Sequence, residues 1–138
     1  MEVFENVKIG NCELKNRIIR TATFEGMSDE NGFPTDNYFS FYSELAKNEI
    51  GGIITGFTYI SKDGKAMHPG QAGIDSADKV PFYKKLTHEV HQYNCRIFMQ
   101  IAHAGRQTKK VYTGEEVVGC SEKKSFYFRD KPRKLTTD

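Results

Sequence analysis

Three short apolar, β-branched runs alternate with two stretches of helical periodicity, and this alternation constrains the chain more than any single residue does. The runs are 17–23, 53–60 and 96–102; the stretches between them are 35–49 and 77–94. In the first stretch Tyr38, Phe41, Tyr42, Leu45 and Ala46 recur at three- and four-residue spacing. In the second, Phe82, Leu86, Val90 and Tyr93 do the same. That spacing places each set on one helix face. Thr35 is in position to cap the first helix and Gly51-Gly52 to end it. Strands joined by helices predict parallel pairing with right-handed crossovers. The run 53–60 is apolar without clean alternation, as expected of a strand buried on both faces. Residues 7–14 flank Gly10-Asn11, a pair suited to a turn of positive φ, and read as a hairpin. The expected fold is therefore α/β: an N-terminal hairpin, then three parallel strands with two helices.

After Ala102 the periodicity stops. Residues 107–138 read as a polar loop or extended segment, with Val117-Val118 and Phe126-Tyr127-Phe128 as short extended pieces. The third strand thus has no helix after it, although a parallel sheet needs both faces covered. Either the covering helices lie outside this stretch or something else covers it.

Composition removes several classes. At 138 residues the chain is about one domain long. With 38% hydrophobic and 28% charged residues and a net charge of +2, it is neither a disordered polyelectrolyte nor a strongly basic nucleic-acid-binding domain. The segment 123–134 interleaves lysines and arginines with aromatics, but Asp130 dilutes it, and no nucleic-acid partner is expected. No apolar run approaches the ~18 residues of a spanning helix, and the acidic start Met1-Glu2-Val3-Phe4-Glu5 is unlike a secretory signal. Cys12, Cys95 and Cys120 are odd in number and widely spaced, which suits reduced thiols in a cytoplasmic protein rather than disulfides or zinc.

In α/β folds, chemistry gathers where strands end and βα loops begin. Those places are 21–26, 55–58 and 100–106, all rich in small residues, hydroxyls and amides. They hold no paired carboxylates, no Gly-x-Ser-x-Gly elbow and no phosphate loop. Gln100 stands out. An amide in a strand that otherwise reads Ile-Phe-Met-Ile must be paired to be tolerated. It either bridges two backbone groups in the core or meets a heterocycle edge with its donor and acceptor. His103 reads as a loop-anchoring histidine, Arg106 as half of a salt bridge and Glu25 as a surface carboxylate, each with a ligand-facing alternative. His88 and His91 sit three apart on a helix, where a solvated face is the expectation over metal capture. No catalytic residue and no metal ligand is assigned.

The motifs Ile9-Gly10 with Leu14-Lys15-Asn16-Arg17-Ile18, Gly51-Gly52-Ile53-Ile54-Thr55-Gly56, and Gln100-Ile101-Ala102-His103-Ala104-Gly105-Arg106-Gln107 occur in this order. In this the chain resembles the old yellow enzyme family of FMN-dependent oxidoreductases, and within it the NADH:flavin oxidoreductase and 2,4-dienoyl-CoA reductase branches. The resemblance implies a (β/α)₈ TIM barrel, of which residues 1–138 would form an N-terminal, partial FMN-binding domain. It implies FMN as cofactor, NADH or NADPH as reductant, and a small activated alkene as substrate that receives hydride through flavin N5. By resemblance, Ala22, Thr23 and Phe24 lie along the flavin, Gly56 and Phe57 approach its pyrimidine side, and Gln100 hydrogen-bonds that ring. Phe24 departs from the Thr, Cys or His of several members, and Gly26 from a Tyr of others. The substrate-anchoring pair and proton donor belong to later strands. The expectation for this chain alone is an inactive portion of an ene-reductase; the alternative is a non-catalytic half-barrel that self-associates or binds a partner.

Overall fold

A computed structural model describes residues 2–137. The hairpin is present: β1 (Val7–Ile9) pairs antiparallel with β2 (Cys12–Leu14), with Gly10 at φ 57° in the turn. There follow β3 (Ile19–Arg20), α1 (Asp36–Lys47), β4 (Gly52–Ile54), β5 (Thr58–Tyr59), α2 (Val80–His91), β6 (Arg96–Phe98) and β7 (Ile101–Ala102). Strands β3, β4 and β6 form a parallel sheet in that order, with Ile19 opposite Gly52 and Ile53 opposite Ile97. Strands β5 and β7 continue it as a second parallel pair, with Thr58 opposite Ile101. The result is a partial, unclosed barrel sheet with two helices on one face.

Each predicted strand is shorter than its apolar run. The first contracts to Ile19–Arg20, and the second and third each break in two. The breaks are side-chain insertions into the ladder. The Gly56 amide donates to the Tyr42 hydroxyl at 3.0 Å instead of to a neighbouring strand. Around it the ladder is stitched by Thr55 N–H to Phe98 carbonyl at 2.9 Å and Thr58 N–H to Gln100 carbonyl at 2.8 Å. This is how a bulge re-aims side chains beside a site. The first helix starts where expected, directly after Thr35, and the second starts later than its pattern. A 3-10 turn, Ala77–Lys79, leads into α2, and Thr35 caps α1 by position only, its hydroxyl donating to the Met27 carbonyl at 2.5 Å.

The core lies between the sheet and the helices. Tyr38, Tyr42 and Ala46 of α1 meet Ile53 of β4, Leu86 and Val90 of α2, and Cys95, as the helical spacing predicts. One assignment changes. Tyr83, not Phe82, is the buried aromatic of the first α2 turn, its hydroxyl donating to the Gly73 carbonyl at 2.9 Å, while Phe82 packs edge-on against Phe33. Ile53 points at the helices and is fully buried, whereas Phe98 lies with Ile19 on the opposite, open face at 39% exposure, and Ile101 is 65% exposed. Period-two alternation separates Ile53 from Ile54 even in this uniformly apolar run.

Residues 107–137 are less featureless than expected. They hold a one-turn helix, α3 (Lys110–Thr113), and a parallel pair of β8 (Val118–Gly119) with β9 (Arg133–Lys134). No helix of the length of α1 or α2 follows β7 among the described residues. Phe126 and Tyr127 are both exposed.

Candidate functional site

The strand ends converge on a cavity of about 540 Å³ lined by Phe57, His68, Gln71, Gln100, His103 and Phe128, among others. Gln100 is placed by its backbone. Its N–H donates to Thr55 Oγ1 at 3.2 Å and its carbonyl accepts from Thr58. The residue is exposed on the wall, and its side-chain amide makes no hydrogen bond among the described residues. The core-bridging alternative for this glutamine is therefore not what the fold adopts. Phe57 is half-buried, its ring centroid 5.2 Å from that of Phe24 and 5.9 Å from His68; Phe24 to His68 is 5.3 Å. These three rings form one aromatic cluster at the cavity edge. Buried Gln71 holds Phe57 from behind, its Nε2 donating to the Phe57 carbonyl at 3.4 Å while its Oε1 accepts the Ala66 N–H at 2.8 Å.

Ala22 is half-buried and Thr23 exposed. Neither lines the cavity, and no backbone hydrogen bond engages the amides of Ala22, Thr23 or Phe24 among the described residues. Gly56 differs. Its N–H is held by Tyr42, and its carbonyl accepts from the hydroxyls of Thr55 at 3.0 Å and Thr58 at 3.2 Å. A Cβ there would overlap the Glu25 carboxylate and stand 3.0 Å from the Thr23 carbonyl. Glycine is required at this position by the protein's own packing.

Glu25 is not a surface carboxylate. It is half-buried and accepts the Tyr42 hydroxyl proton at 3.1 Å. Burial raises its pKa above the ordinary value, and burial likewise pushes the Tyr42 phenol up to about 12. Arg20 lies over the Phe41 ring at 4.9 Å and donates to the carbonyls of Thr21, Thr23 and Ile54. Neither the Glu25–Tyr42 pair nor the Gln71–Phe57 contact is signalled by spacing, because the partners lie 17 and 14 residues apart.

His103 is a loop anchor, as expected. Its Nδ1 accepts the Gly105 N–H at 2.9 Å, which leaves Nε2, 3.5 Å from Asp63 Oδ1, to carry the proton. Arg106 forms no salt bridge among the described residues; it donates to the Lys123 carbonyl at 3.1 Å and ties down the tail. His88 faces Gln92, and no cluster of metal-binding side chains occurs among the described residues. The three cysteines are free, with Cys95 buried and its thiol pushed up to about 11 by that burial. A larger cavity, about 760 Å³, opens beside Tyr59, but its walls mix Lys62, Lys65 and Lys79 with Glu30, Asp75 and Asp78 and favour no sign of charge.

Residues 2–135 match the NADH:flavin oxidoreductase / NADH oxidase family. The chain belongs to this family. It is 30% identical over 141 residues to a NADPH dehydrogenase of Listeria monocytogenes, covering 99% of this chain and 40% of that protein. To a NADH oxidase of Thermoanaerobacter brockii it is 29% identical, over 97% of this chain and 21% of the relative. Among solved structures, the old yellow enzyme homologue from Zymomonas mobilis superposes with a TM-score of 0.86 at 27% identity, over 99% of this chain and 40% of that one. Morphinone reductase superposes at 0.88 with 22% identity, a likeness of fold alone. The old yellow enzyme resemblance and the α/β fold class thus hold: the chain corresponds to the N-terminal part of the family's TIM barrel and spans between 21% and 41% of the length of these proteins. No helix of the described residues is long and apolar enough to cross a membrane.

Proposed function

We propose that this chain forms the FMN-facing first strands of an NAD(P)H-dependent flavin oxidoreductase of the ene-reductase type. The observation that carries the reading is Gln100, whose side chain stands unengaged on the cavity wall while its backbone is fixed from both sides. A free amide held in place offers one donor face and one acceptor, the pattern a pyrimidine-like ring edge presents. The residues fit such a group. The amides of Ala22, Thr23 and Phe24 carry no protein hydrogen bond among the described residues and are open to a planar ligand, and the rings of Phe24 and Phe57 form an aromatic border beside the cavity. Gly56 supports the turn rather than donating to the ligand, both its polar groups being engaged. When bound, the flavin supplies hydride transfer from NADH or NADPH to a small activated alkene. The chain's part is binding, orientation and tuning. A cytoplasmic location belongs to the same reading. Titrating the purified chain with FMN and following flavin fluorescence and visible absorption tests it; no saturable binding overturns it.

Residues 1–138 by themselves are expected to oxidise NAD(P)H in the presence of a simple enone no faster than free FMN does. The cavity is open to solvent, with Ile101 on its wall at 65% exposure, so water has access to the place where hydride would pass. Sustained turnover above the free-flavin rate contradicts this.

The open apolar face also favours the second reading, self-association. Exposed apolar surface costs about 25 cal/mol per Å², and unpaired strand edges invite pairing with another chain. Phe98 and Ile101 are the apolar side chains left exposed on β6 and β7. Light scattering over a dilution series is expected to show a mass that rises with concentration; a monodisperse monomer at every concentration rejects it.

A further inference from the structure

Glu25 lies in the loop after β3, and a continuous set of hydrogen bonds leads from it to residues of the cavity wall. Its carboxylate accepts the Tyr42 hydroxyl at 3.1 Å, and the same hydroxyl oxygen accepts the Gly56 N–H at 3.0 Å. The Gly56 carbonyl is bound by Thr55 Oγ1 at 3.0 Å, and Thr55 Oγ1 in turn accepts the Gln100 N–H at 3.2 Å. Phe57 follows Gly56 directly. One carboxylate therefore terminates a network whose other ends are Phe57 and Gln100.

A hydroxyl has one proton and two lone pairs. An ionised carboxylate can only accept, so it fixes the Tyr42 proton toward itself and leaves a lone pair aimed at Gly56. A protonated carboxyl can also donate, and the direction of the chain is then no longer set. Gly56 has no side chain because the Glu25 oxygen occupies that space.

We propose that Glu25 is a positioning residue: acting through Tyr42 and the Gly56 amide, its carboxylate sets how Phe57 and Gln100 are presented to the flavin. This rests on the flavin-binding reading above. The charged and titratable groups that face Glu25 are Arg20 of β3, Tyr38 and Tyr42 of α1, and Tyr83 of α2. Tyr38, Tyr42 and Tyr83 all have pKa values raised by burial, and arginine stays charged, so Glu25 is the group of this set that changes state between acid and neutral pH.

The test uses the full chain, ¹⁵N-labelled, as wild type, Glu25→Gln and Tyr42→Phe. In the wild type the Gly56 amide resonance is expected to titrate with a midpoint above the ordinary carboxylate range. Glu25→Gln, a neutral isostere, abolishes that titration and weakens FMN binding by about fivefold to tenfold above the midpoint, as expected for exchanging a charged for a neutral hydrogen bond. Tyr42→Phe cuts the link and has the same two effects; where it does not fold, Glu25→Gln alone decides. Because the folded chain holds the Glu25 proton to higher pH than the unfolded chain, wild-type stability falls as pH rises through that window, and Glu25→Gln removes this slope. A Gly56 amide that is flat with pH, or FMN binding by Glu25→Gln within twofold of wild type, overturns the proposal while leaving flavin binding intact. A wild type that binds no FMN overturns the flavin reading, and the cofactor-positioning role falls with it even where Gly56 titrates.

Discussion

Replacing Lys79 with alanine is expected to lower the unfolding free energy by about 3–5 kcal/mol, the cost of leaving a buried charge without its partner. Lys79 is 3% exposed. Its ammonium pairs with the nearly buried Asp75 carboxylate, lies 3.3 Å from the Tyr59 hydroxyl and sits 5.1 Å above the rings of Phe33 and Tyr59. The Tyr59 hydroxyl passes the connection on to the Asn31 carbonyl at 2.8 Å. The pair thus joins the start of α2 to the loop after β3 through β5. Taking away the cation strands Asp75 and loosens both ends. Domain stabilities are about 5–15 kcal/mol, so this single change removes a large part of the total. Urea unfolding followed by circular dichroism measures it. The double replacement Asp75→Leu with Lys79→Met is expected to cost much less than Lys79→Ala, since it leaves no unpaired charge. A Lys79→Ala midpoint within experimental error of wild type rules this out.

Gln100→Ala is expected to weaken FMN binding by about fivefold to a hundredfold, the equivalent of about 1–3 kcal/mol for a lost hydrogen-bonding partner at a desolvated site. Its effect on folding should be small, within about 0.5 kcal/mol, because the side chain is exposed and touches no protein partner. That separation is the discriminating feature. Fluorescence titration gives the dissociation constant, and a melt of the same sample gives the stability. An unchanged dissociation constant returns Gln100 to the role of a surface amide. A large loss of stability assigns it to the fold instead.

The two predictions differ in how far the sequence points to them. Gln100 is conspicuous in the chain, being the polar residue in an apolar run at a strand end, and the family motif around it reads directly. The local signal at Lys79 is no more than Asp75 four residues before it. Its position before α2 suits a solvated cation, and only the return of the 75–79 turn against Phe33 and Tyr59 buries it. Glu25 behaves in the same way. By composition its loop is a surface loop, and its carboxylate becomes half-buried only because Tyr42 of α1 reaches over it. The placement of Phe82 and Tyr83 is a matter of phase. One residue is 100° on a helix, and the α2 pattern admits either aromatic until the Gly73 carbonyl selects the hydroxyl of Tyr83.

What the chain determines by itself is the order of strands and helices, the buried faces Tyr38–Tyr42–Ala46 and Leu86–Val90, the hairpin at Gly10, and the strand-end segments where a cofactor would lie. These are properties of neighbouring residues, because helix and strand periodicities repeat within a few positions and turn residues act through their own φ. The tertiary structure alone decides where the second and third strands break, that Ile53 turns to the helices while Ile101 stands open, that Gly56 yields its space to Glu25, and that Lys79 meets Asp75 beneath Tyr59. Each of these depends on which side chain a crossover brings back against the sheet. That is set by the packing of α1 and α2 over β4, so it cannot be read from spacing along the chain.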